Sequence, residues 1–110
     1  MSDFTKYSVV DVADNTTTVV NGPARLFGVY VNTALSAHAL PIANRNFSVS
    51  PNVETTVVTI PASAAAGAMY TFPGIEFENA LVVNPNDAAT GNITLVYKRG
   101  ISSTAGVGQA

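Results

Sequence analysis

Apolar and polar residues alternate with a period of two along most of this chain, and no stripe at helical spacing interrupts them. That is the pattern of half-buried strands. Strand-type residues carry it, with 15 Val and 12 Thr, whose branched side chains suit a pleated surface. Residues 7–12 read as a first strand turned by Asp14-Asn15, and residues 16–20 continue it or return from it. Asn21-Gly22-Pro23 is turn punctuation. A long strand over 25–32 follows, with Leu26, Gly28, Tyr30 and Asn32 on one face and Phe27, Val29 and Val31 on the other. Gly28 marks either a bulge or a close backbone approach. Residues 33–39 fit a short helical turn or a loop. Residues 40–43 fit a short strand that Pro41 confines to a sheet edge or to its own first positions. A turn is predicted at 44–46, a short strand at 47–50 and another turn at Pro51-Asn52. Strands are predicted at 54–60, stopped by Pro61, and at 68–72, stopped by Pro73-Gly74, with a crossing loop at 63–67 between them. Residues 75–79 lead into an apolar run at 80–83, a polar hairpin loop spans 84–91, and 92–98 closes the chain as a strand.

Turn signals recurring roughly every 8–12 residues are the signature of an all-β sandwich or barrel. The long helices of βαβ units are missing. The fold expected is an all-β, antiparallel β-sandwich, jelly-roll-like, of about eight short strands. It forms one domain over residues 1–99, with an extended N-terminal arm over about 1–7 and a flexible tail over 100–110.

Composition narrows the function classes. Charged residues are 11% of the 110, against roughly 25% in an ordinary domain. Five Lys+Arg and seven Asp+Glu leave a net charge of −2, and the mean hydropathy is +0.28. Disorder is excluded, because disordered chains are polar and charged. Five scattered cations cannot form the basic stripe that phosphate neutralisation needs, so no nucleic-acid partner is expected. With no cysteine there is no disulfide framework. No apolar run reaches the roughly 18–20 residues of a membrane helix, and the N-terminus lacks the pattern of a signal peptide. No membrane partner is expected.

Candidate chemistry is sparse. His38 is the one histidine, without the Gly-x-Ser-x-Gly elbow that would accompany a triad, and is read as structural. Glu76 and Glu78 share a strand face at a separation of ~7 Å. Glycosidase carboxylates flank the scissile bond, so this pair reads as a solvated or interface-facing edge. The loop 84–92 is rich in oxygen ligands, but it lacks the repeated carboxylates of a calcium loop. It reads as a turn opened by Asn84-Pro85, capped by Asp87 and closed by Gly91. No metal, cofactor or catalytic residue is assigned. Arg25, Lys98 and Arg99 open and close strands, where charge blocks edge-to-edge pairing or meets an acidic partner. A sugar-binding face would want exposed planar aromatics, and there is no Trp. Tyr70 and Tyr97 are the candidates for such a face.

The segments Asn21-Gly22-Pro23-Ala24-Arg25-Leu26-Phe27-Gly28-Val29-Tyr30-Val31-Asn32-Thr33 and Leu81-Val82-Val83-Asn84-Pro85-Asn86-Asp87-Ala88-Ala89-Thr90-Gly91-Asn92-Ile93-Thr94-Leu95-Val96-Tyr97 resemble small all-β structural proteins of tailed bacteriophages. Val58-Thr59-Ile60-Pro61-Ala62-Ser63 and Phe72-Pro73-Gly74-Ile75-Glu76-Phe77-Glu78 extend the resemblance to about residues 20–98. Its motifs are strand-and-turn patterns and bring no catalytic residues. It implies a non-enzymatic capsid decoration (cement) protein made in the host cytoplasm and carried on the virion surface, partnered by the major capsid protein and by copies of itself, a trimer first and a dimer second. A tail or head–tail connector component, or a carbohydrate- or host-surface-binding module, are the alternatives. Phe4, Tyr7, Arg25, Lys98 and Arg99 are the expected partner-interface residues, with Phe4 and Tyr7 reaching a neighbouring subunit from the N-terminal arm.

Overall fold

A computed structural model describes residues 5–13 and 16–100. Its eight strands are β1 (Lys6–Asp11), β2 (Thr17–Val20), β3 (Ala24–Thr33), β4 (Leu40–Asn46), β5 (Val53–Ile60), β6 (Met69–Phe77), β7 (Leu81–Val83) and β8 (Asn92–Arg99). They form two four-stranded antiparallel sheets, ordered β1-β8-β3-β6 and β2-β7-β4-β5. The pairs β1·β8, β2·β7, β3·β6 and β4·β5 make the chain one long antiparallel ribbon folded at the β4–β5 turn. Rolling that ribbon adds the pairs β3·β8 and β4·β7 and splits it into two sheets. The result is the eight-stranded jelly-roll order. Only β4–β5 is a hairpin of consecutive strands; the loop 84–91 is a crossover between sheets, because β7 and β8 belong to different ones.

The sandwich closes on side chains from both inner faces. Leu26, Val29 and Val31 of β3, Ile93, Leu95 and Tyr97 of β8, Phe77 of β6, Leu40 and Ile42 of β4, Ile60 of β5, and Leu81 and Val83 of β7 form one buried cluster. No polar or charged side chain is buried among the described residues. This core can close without ion pairs, so the low charge count costs it nothing.

Several elements differ from the sequence expectation. The sandwich starts at Lys6, with Tyr7 paired to Val96, so Tyr7 is a strand residue and not part of an arm. In β3 the register shifts between Leu26 and Gly28 against both neighbours. Phe27 is the extra residue, so Leu26, Val29 and Val31 share the inner face, while Phe27 joins Gly28, Tyr30 and Asn32 outside. Strict alternation placed Leu26 and Phe27 on the wrong sides because a bulge inserts one residue into the pleat. The dipeptide Pro73-Gly74 does not end β6. Leu26 pairs with Ile75 and Gly28 with Thr71, so residues 72–74 bulge out of an edge strand, where proline is tolerated. β4 runs through residues 44–46, expected as a turn, and the turn falls at 47–52 instead. Pro41 sits at the second position of β4, so this inner strand keeps its ladder. Residues 33–39 hold no helix. Their loop is pinned by Leu35 N–H to Ala64 C=O and Ser36 N–H to Thr90 C=O, at 2.9 and 3.0 Å.

Candidate interaction surface

The two sheets differ on their outer faces. On β2-β7-β4-β5, Arg45 pairs with Glu54 across the β4–β5 ladder. Glu54 also accepts from Asn84 Nδ2 at 2.6 Å, and Thr16 Oγ1 donates to Asn84 Oδ1 at 2.8 Å. Strand parity places this polar chain across the row Val82–Ala43–Thr56. Val82 and Ala43 are wholly buried there, although they stand outside the core cluster. Small side chains thus lie under a hydrogen-bonded cover on the inner strands of this face, while its edge strand β5 leaves Val53 56% and Val57 38% exposed.

The outer face of β1-β8-β3-β6 has no such cover. Register sets Tyr7 beside Val96 beside Gly28, and Val9 beside Thr94 beside Tyr30 beside Met69. Tyr7 is 72% exposed, Val9 59%, Met69 50% and Tyr30 41%. A Cβ built at Gly28 would lie 3.0 Å from Met69 Cε and 3.3 Å from the Tyr70 carbonyl oxygen. The absent side chain at position 28 is thus what lets Met69 lie across the sheet. Contiguous exposed apolar residues of this kind mark interaction sites. The face is bounded by charge at one end: Lys98, Arg25 and Glu76 form a row. The Lys98 ammonium and the Arg25 guanidinium lie 5.6 and 5.9 Å from the Phe27 ring centroid, and Arg25 Nε donates to the Gly74 carbonyl at 3.3 Å. At the other end, Asn32 Nδ2 donates to Asn92 Oδ1 and Thr94 Oγ1 at 2.7 and 2.8 Å. Exposed Asp11 pairs in register with Asn92 there.

Three of the five expected interface residues, Tyr7, Arg25 and Lys98, therefore share one face. Arg99 is exposed at the end of β8 opposite Ala24, with the opposite strand parity. Phe4 lies outside the described residues. Sequence reading missed Val9, Tyr30 and Met69, because an apolar residue in an alternating strand reads as core until the pleat is phased. Tyr97 is buried, its hydroxyl bonded to Ser8 Oγ at 2.9 Å, and Tyr70 packs half-buried against the core. Neither offers a stacking platform for a sugar.

The remaining candidates do not assemble into a reactive centre. His38 sits half-buried in the 33–39 loop, and no group of three His, Cys, Asp or Glu could hold a metal among the described residues. In the 84–91 loop it is Asn86, not Asp87, that caps the turn, its Oδ1 accepting from Ala88 N–H at 2.9 Å. Asp87 is exposed there, and Gly91 takes the expected positive φ. Glu76 faces Arg25 across the ladder, while Glu78 lies beyond the end of β6. No helix among the described residues is long and apolar enough to cross a membrane. A scan against protein-family models found none that matches this chain, and a search of the curated proteins found no match.

Proposed function

We propose that this chain is a non-enzymatic structural protein of a tailed-bacteriophage virion, a decoration protein that binds the outer surface of the capsid and stabilises it. The observation that carries the reading is the uncovered apolar face of β1-β8-β3-β6 on a domain with so few charges. Such a face costs free energy in water and is relieved by burial at about 25 cal/mol per Å². A low-charge, Thr- and Asn-rich surface meets a flat partner with little ionic desolvation. Repetition over a symmetric shell makes a modest interface count many times. Tyr7, Arg25 and Lys98 lie on the face that would be covered.

The test is co-sedimentation of the purified chain with empty shells of the major capsid protein encoded in the same genome. Saturable binding that raises the temperature of shell rupture is expected. Failure to bind at about 100 μM, a concentration that would populate even a weak complex, overturns the reading. Binding to tails or connectors in place of shells would move the chain to that part of the virion.

A further inference from the structure

We infer that the uncovered face of β1-β8-β3-β6 is a self-pairing surface, occupied by the same face of a second copy about a two-fold axis that lies across the strands. The inference takes the exposed face that carries the reading above and assigns it a second copy in place of the shell, which a paired molecule would meet through its remaining surface.

Two properties of the face favour its own copy. The first is shape. An axis across the strands keeps β1 over β1 and reverses its direction. The row Tyr7–Val96–Gly28 then stacks on the row Val9–Thr94–Tyr30 of the second copy. Tyr7 meets the smaller Val9, and Tyr30 meets the Met69 side chain that lies over Gly28, so apolar groups face one another along both rows of an isologous contact. The second is charge. The same operation lays the Lys98 and Arg25 end of one face over the Asp11, Asn32 and Asn92 end of the other. With an axis along the strands running between β8 and β3, Lys98 would instead meet the Arg25 of the second copy, whereas the crosswise axis brings the Lys98 end toward the Asp11 end.

The area suffices for a weak dimer. Four strands about 4.8 Å apart, over about six residues rising about 3.4 Å each, give a face roughly 20 Å on a side. With side-chain relief, both copies together bury on the order of 1,000 Å², the lower bound of specific interfaces.

Sedimentation velocity of the full chain over a concentration series tests this. The expected result is a reversible shift from the 11.4 kDa monomer to twice that mass. Val9→Lys, at a position already 59% exposed, should leave the melting temperature of the dilute monomer unchanged and weaken the dimer at least ten-fold. Asp11→Lys and Lys98→Asp should each weaken it, and the double swap should restore it, since only the crosswise axis pairs the two ends. A chain that stays monomeric to about 1 mM, a trimer, or a double swap no better than either single change overturns the inference. If the chain is monomeric and Val9→Lys abolishes shell binding, the face belongs to the shell protein; self-pairing falls and the decoration reading stands. A dimer with the expected charge-swap behaviour and no shell binding upholds self-pairing and removes the decoration reading.

Discussion

At the scale of single residues, the bulge where β3 meets β6 rests on two glycines. Gly74 has φ +97°, and a Cβ there would lie 2.9 Å from Phe27 Cε1 and 3.1 Å from an Arg25 guanidinium nitrogen. A side chain at this position meets both backbone strain and a ring wedged beneath two cations. Gly74→Ala is expected to cost about 1–3 kcal/mol, read as a lower urea midpoint with an unchanged slope. From the sequence alone Pro73-Gly74 reads as a strand stop, because the dipeptide is a turn signal wherever it occurs. Its role as a bulge depends on the strand lying opposite. Gly28 was legible as a bulge or close approach, since a glycine inside an apolar alternating run gives up a side chain that would otherwise pack. What it approaches, Met69 and the Tyr70 carbonyl, is 41 and 42 positions along the chain.

At the scale of elements, β4 shows why polar runs mislead. Asn44-Arg45-Asn46 has turn composition, yet each residue pairs with β5. Arg45 is held by Glu54, and Asn44 Oδ1 accepts from Asn79 and Ala80 N–H at 2.8 and 3.2 Å. Tertiary partners thus convert a loop-like triplet into strand. Glu54→Gln removes the charge that Arg45 faces and keeps the shape. With both side chains about a quarter exposed, the expected loss is roughly 0.5–1 kcal/mol, shrinking in 1 M salt as screening weakens the ion pair. Glu54→Ala should cost more, with the same salt-sensitive part and an added salt-insensitive loss, because it also removes the acceptor of Asn84 over Ala43 and Val82. The measurement for both is urea unfolding at low and high salt.

At the scale of the whole molecule, stability is shared by one core drawn from both sheets. Phe77 is wholly buried in it, so Phe77→Ala should cost about 3–5 kcal/mol. A drop in melting temperature shared by near- and far-ultraviolet circular dichroism would check that the sandwich unfolds as one unit. The class of this protein was already set by its residues in order. Period-two alternation in Val- and Thr-rich runs demands sheets, turn residues at short intervals demand antiparallel strands, and the charge deficit demands a surface that avoids ions. These are local properties, set by side-chain sterics and hydration, and they are legible without neighbours. Whatever depends on the residue across a ladder came only with the packed sheets: the phase of β3 after its bulge, the passage of β6 through proline, the pairing of β1 with β8 from opposite ends of the chain, and the gathering of Tyr7, Val9, Tyr30 and Met69 on one uncovered face. Alternation says that one side of each strand is apolar, but which side turns inward is settled only when two sheets close on each other and exclude water between them.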